Sequence, residues 1–81
     1  MLQPKDIILI TGAGSGMGKL AAERAANNGE NVVGFDLDAK SLMNLESRYN
    51  NIKTFVVDIT NYESVEKTIA LIVKNQGNIK K

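Results

Sequence analysis

The chain contains no cysteine and no histidine. Without cysteine, neither a disulfide framework nor a thiolate metal site can form. Without histidine, the commonest metal ligand and acid–base catalyst is missing. An excess of charge is lacking too: ten basic and nine acidic residues leave a net charge of +1. That balance gives no footprint for nucleic acid or an anionic membrane, and the terminal Lys80-Lys81 pair is too short to make a basic patch. No apolar run is long enough to span a bilayer, and Met1-Leu2-Gln3-Pro4-Lys5-Asp6 lacks the basic-then-apolar layout of a signal peptide. These absences predict a cytoplasmic protein that binds neither nucleic acid nor membrane. At 81 residues the chain makes one small domain near the size where a single core is marginal, and 43% hydrophobic content sets it apart from disordered sequences.

What is present is a regular alternation of short apolar runs and helical stripes. Ile7-Ile8-Leu9-Ile10 reads as a buried strand of a parallel sheet. A helix starting near Gly16 or Met17 is predicted to turn Met17, Leu20, Ala21 and Ala25 inward and to stop at Asn27-Asn28-Gly29, residues that tolerate a left-handed cap. A second strand, Asn31 to Phe35, closes on Asp36. Asp38 is placed to cap a second helix running to about Arg48 with Leu42, Leu45 and Tyr49 inward. The third strand is predicted over Lys53 to Val57, ending at Asp58. Thr60-Asn61-Tyr62-Glu63 matches a capping box for a third helix bearing Val65, Ile69, Ile72 and Val73 on one stripe and ending near Asn75-Gln76-Gly77. The order βαβαβα implies parallel strands joined by right-handed crossovers, and so an α/β fold that is half of a doubly wound sheet with strand order 3-2-1.

The turn after the first strand, Thr11-Gly12-Ala13-Gly14-Ser15-Gly16-Met17-Gly18, carries the chemistry. A strand, a glycine-dense turn and a helix together aim backbone N–H groups at a phosphate, and no acid lies between Gly16 and Lys19 to repel one. The Gly-x-Gly-x-x-Gly fingerprint fails, because from Gly12 its last position is Met17 and from Gly14 it is Lys19. A P-loop fails as well: its first glycine would fall on Ala13, and Leu20 follows Lys19 where a magnesium-holding hydroxyl is needed. Gly12-x-Gly14-x-Gly16 fits the turn of many S-adenosylmethionine-dependent methyltransferases, but Ile10 stands where those proteins usually carry an acid. Thr11-Gly12-x-x-x-Gly16-x-Gly18 resembles the cofactor signature of short-chain dehydrogenases/reductases, and the resemblance extends over essentially the whole chain.

The resemblance implies a Rossmann-type cofactor site. In it Gly12 permits the turn, Gly16 lets the backbone approach a pyrophosphate closely, and Gly18 allows tight helix–strand packing, with Ser15 and Met17 between them. Asp36, 18 residues after Gly18, stands where an acid accepts from the adenosine ribose hydroxyls. Relatives that prefer NADP often have a basic residue before the second signature glycine or just after the second strand. Ser15 and Leu37 occupy those places, so NAD is expected over NADP. Asp58-Ile59 resembles the family's adenine-contacting pair. The family's catalytic Tyr-x-x-x-Lys is matched literally by Tyr49 and Lys53, but Asn50-Asn51 marks a turn between them, and the chemistry needs the two groups one helical turn apart. No catalytic residue is therefore assigned.

The resulting expectation is that residues 1–81 form a partial NAD-binding domain of a short-chain dehydrogenase/reductase, truncated before a fourth strand. The parent would move hydride between NAD and an alcohol or carbonyl, while this segment alone is inactive. The alternatives are a free-standing nucleotide-binding or interaction module and, with less support, a methyltransferase fragment. The expected partner is an adenine dinucleotide. A first strand left bare at the sheet edge, with no charge or proline inside Ile7 to Ile10, further predicts self-association, as a dimer.

Overall fold

The computed structural model describes residues 7–76 and 79–80. Its elements are β1 (Ile7–Thr11), α1 (Gly16–Asn27), β2 (Asn31–Asp36), α2 (Ala39–Arg48), β3 (Ile52–Val56), α3 (Tyr62–Gln76) and β4 (Ile79–Lys80). The strands lie parallel in the order β3-β2-β1-β4. Side chains alternate along β1: Ile8 and Ile10 pack with α1 and α2, while Ile7 and Leu9 join the cluster that includes Val65, Ile69 and Ile72 of α3. A strand covered on both faces has no polar alternation to show, which is why β1 reads as an unbroken apolar run.

The helices end as local chemistry dictates. At the end of α1, Glu30 N–H donates to the Ala25 carbonyl (3.1 Å) and Gly29 N–H to that of Ala26 (3.0 Å), with Gly29 at φ +82°. This pair of bonds, with a left-handed residue between helix and strand, satisfies carbonyls the helix would otherwise leave open. Asp38 caps α2 through its side chain, accepting from Ser41 N–H at 3.2 Å. Leu42 and Leu45 are buried and Tyr49 packs beside them, as their spacing predicts.

Three expectations need correction. The inward face of α1 is Ala22, Ala25 and Ala26, whereas Met17 (87% exposed), Leu20 (54%) and Ala21 point outward. Gly18 lies against the Gly12 carbonyl, and that contact rotates the small residues toward the sheet. Small side chains then let the helix lie close to it. Thr60 does not cap α3; Asn61 does, accepting from Ser64 N–H at 3.1 Å, while Glu63 pairs with Lys67 (3.1 Å) instead of reaching back. The Thr60 hydroxyl is held by Asp58, which outcompetes the helix for it.

The third correction concerns the edge of β1. A fourth strand, β4, pairs Ile7 with Ile79 and Ile8 with Lys80, so the edge expected to be bare is covered along its first two residues. The two-residue segment Ile79–Lys80 extends the parallel ladder beyond β1. Residues 77, 78 and 81, which the truncation expectation also involves, lie outside the described residues. β3 begins one residue earlier than predicted, with Ile52 buried against α1 and α2. Among the described residues no helix is long and apolar enough to cross a membrane.

Candidate functional site

The turn between β1 and α1 is built on contacts that tolerate almost no side-chain volume. Gly12 has φ +68°, a left-handed conformation that costs glycine little. A Cβ on Gly18 would lie 2.1 Å from the Gly12 carbonyl oxygen, so the start of α1 folds back onto the turn only because that atom is missing. Ala13 donates its N–H to the Phe35 carbonyl at 3.1 Å and is fully buried, fixing the turn to β2. Gly16, at φ +58°, faces open space, with nothing within 4 Å of where a Cβ would stand. Ser15 is the N-cap of α1 in extended backbone and makes no side-chain capping bond; the first turn carries no acidic residue. The helix therefore presents its N–H groups and positive dipole end uncompensated by a carboxylate.

Beside this turn a cleft of about 240 Å³ opens at the carboxyl ends of β1, β2 and β3. It is lined by Gly12, Phe35, Asp36, Leu37, Val57, Asp58, Ile59 and Thr60. The floor is the buried pair Phe35 and Val57, and the rim holds two carboxylates. Asp36 accepts from Asp38 N–H (3.0 Å) and Gly14 N–H (2.9 Å), bonds that hold its carboxyl below the usual aspartate range. Asp58 accepts from the Thr60 hydroxyl (2.6 Å) and Thr60 N–H (2.9 Å), which lower it likewise. Both are ionised at neutral pH and act only as acceptors. Leu37 and Ile59, 64% and 55% exposed, offer apolar surface on either side. Hydroxyl or amino donors on a flat apolar body suit such a cleft, whereas a phosphate suits the helix end next to it.

The cleft thus gathers Gly12, Asp36, Leu37, Asp58 and Ile59. Ser15, Gly16, Met17 and Gly18 form the adjoining turn and the first turn of α1 rather than its wall. Sequence reasoning missed Ala13, Gly14 and Thr60. Asp58-x-Thr60 is a spacing typical of a side-chain-closed turn and was the available signal for the last. Tyr49 is the C-cap of α2 and Lys53 belongs to β3, so their literal Tyr-x-x-x-Lys match does not sit on one helix. A larger open depression, about 630 Å³, lies between the ends of α1 and α2. Two of its polar side chains are committed elsewhere: Arg48 to Glu23, and Asn51 to the carbonyls of Ala26 and Glu30 (both 2.9 Å). Among the described residues no cluster of acidic side chains could hold a metal ion.

Comparison with known proteins matches these features to one group. A family model described as short chain dehydrogenase matches residues 6–80. The 3-ketodihydrosphingosine reductase of Bacteroides thetaiotaomicron is 37% identical over 78 residues, 96% of this chain and 26% of that protein. The 2-keto-3-deoxy-L-fuconate dehydrogenase of Xanthomonas campestris is 34% identical over 62 residues, 76% of this chain and 21% of that protein. Among solved structures, a short-chain dehydrogenase from Streptomyces avermitilis superposes with a TM-score of 0.88 at 27% identity, over 99% of this chain and 30% of its own. The chain spans about a quarter of the length of the curated relatives it matches.

Proposed function

Since the chain belongs to the short chain dehydrogenase family, we propose that residues 1–81 are the part of such an oxidoreductase that binds the adenosine diphosphate half of NAD. The observation that carries this reading is the cleft itself, with Asp36 and Asp58 on its rim and the Gly12–Gly18 turn at the head of α1 beside it. The residues fit the group. Open space over Gly16 admits a pyrophosphate against the uncompensated N–H groups of α1. Each Asp36 oxygen accepts one N–H and retains acceptor capacity for a ribose hydroxyl. Asp58 accepts from the adenine amino group while Ile59 and Leu37 cover the ring. A fixed negative charge at the ribose edge, with Ser15 and Leu37 instead of cations nearby, favours NAD over NADP.

When bound, the cofactor would supply a hydride acceptor or donor; the chain's own part is to bind and orient it. The two curated relatives act on 3-ketodihydrosphingosine and on 2-keto-3-deoxy-L-fuconate, so what this chain shares with both is not a substrate pocket. Hydride exchange with an alcohol or carbonyl is accordingly proposed for a longer parent, its substrate set outside these residues. Methyl transfer has no support in the site, because Ile10 packs against the α1 and α2 cluster where an acid would be needed.

Calorimetric titration tests the reading. NAD and ADP should bind the chain with similar, weak affinity, NADP should bind less well, and Asp36→Ala should narrow the gap between the dinucleotides. Preference for NADP by the unmodified chain, or no binding of any adenine nucleotide, would overturn it.

A further inference from the structure

Gly14 lies outside the Gly12, Gly16 and Gly18 signature, yet it is buried against Asp36 on the rim of the cleft. Its φ is not in the left-handed region, which among the glycines is occupied by Gly12, Gly16 and Gly29. The φ at position 14 does not call for glycine, so what glycine supplies there is space. A Cβ would stand 2.9 Å from Asp36 Oδ2, 3.1 Å from Asp36 Cγ and 3.2 Å from Ser41 Cβ. The carboxylate fills the volume that the missing side chain leaves, and the same residue's N–H bonds to it at 2.9 Å.

We infer that Gly14 determines how strictly the site discriminates between an unmodified and a 2′-phosphorylated ribose, by allowing Asp36 to be seated against the turn. The inference rests on the cofactor reading above. Two donors on different oxygens, Gly14 N–H on Oδ2 and Asp38 N–H on Oδ1 (3.0 Å), fix the carboxylate in both position and rotation. Asp38 is itself locked by Ser41, whose hydroxyl donates to Asp38 Oδ2 at 2.8 Å, so the clamp continues into the start of α2. A seated carboxylate cannot swing aside to admit a phosphate without giving up two charge-assisted hydrogen bonds. An unseated one can turn toward solvent and leave room. Discrimination therefore depends on the immobility of the charge as well as on its sign. An uncharged side chain at position 14, alanine being the smallest, removes that immobility without altering the net charge.

The test compares ADP with 2′-phospho-ADP by calorimetry on the unmodified 81-residue chain and on Gly14→Ala, Asp36→Glu and Asp36→Ala. The unmodified chain should favour ADP, and Asp36→Ala should abolish the preference. Gly14→Ala should shrink the affinity ratio about tenfold, the scale of one charge-assisted hydrogen bond, while changing ADP affinity much less. A purely structural defect would weaken both nucleotides alike and leave the ratio unmoved. Asp36→Glu keeps the charge but carries it one methylene past both N–H donors, and so should lower the ratio on an unmodified turn. If Gly14→Ala fails to fold, Asp36→Glu alone decides. An unchanged ratio in Gly14→Ala, or in Asp36→Glu when that variant decides alone, with Asp36→Ala still abolishing the preference, overturns the role of Gly14 and leaves the NAD reading intact. No preference in the unmodified chain overturns both.

Discussion

The aspartates in and beside this site act through the N–H and hydroxyl groups that their neighbours donate. Asp36, Asp38 and Asp58 each accept N–H bonds that favour the ionised form, and each carboxyl is held below its ordinary range. For Asp36 the Asp38 N–H is the chief cause, and for Asp38 and Asp58 it is a hydroxyl, of Ser41 and Thr60 respectively. A carboxyl lowered in the folded state stabilises that state fully above its unfolded value, near about 3.9. The contribution fades as the pH falls through the lower folded value. The thermal midpoint should hold its carboxylate contribution from pH 7 down to about 4 and decline below. Asp58→Asn should make that acid decline shallower. An identical acid limb in the variant and the unmodified chain would show that these bonds do not persist in solution.

At the scale of elements, the ends of the helices separate what sequence spacing can and cannot say. Asp38 was legible as the cap of α2 because its two oxygens take both the N–H and the hydroxyl of Ser41, inside the same helix. Thr60 looked equally legible as the cap of α3, but the Asp58 carboxylate stands two residues before it and takes its hydroxyl. The helix then starts from Asn61. Asn61→Ala should lower stability by about 1 kcal/mol, the ordinary worth of an N-cap, with loss of helical dichroism on mild heating. Thr60→Ala should leave α3 intact and disturb Asp58 instead. Equal helix loss in both variants would restore the threonine cap. The face of α1 differs from its spacing for a related reason: its outline follows from where Gly18 meets Gly12, a contact between the helix and the turn before it.

For the whole molecule, the core is two thin clusters on either side of one small sheet. Leu45 is fully buried where α2 meets β3, and a Leu→Ala change at such a site costs about 2–5 kcal/mol. Domain stability is about 5–15 kcal/mol, and chains this short fall at the lower end. Leu45→Ala should therefore leave only about 0–3 kcal/mol and bring the thermal midpoint by circular dichroism down toward 25 °C. A cooperative thermal transition retained well above that temperature would show more stability than two small clusters account for. The same thinness leaves Met17, Leu20, Leu71 and Val73 substantially exposed, in a chain that spans about a quarter of its curated relatives.

The sequence by itself determined the order of elements, the parallel sheet, the glycine turn and the two strand-end aspartates. Each of these depends on local patterns: apolar runs of strand length, a period near 3.6, and residues that only a turn needs. The inward side of α1, the pairing of β4 and the capture of Thr60 by Asp58 were decided by tertiary structure. Their causes are contacts between segments, which no local period encodes. Gly14 shows the difference most plainly. Read along the chain it is one glycine too many for the signature; only when β2 is laid beside the turn does its missing Cβ become the space into which the Asp36 carboxylate fits.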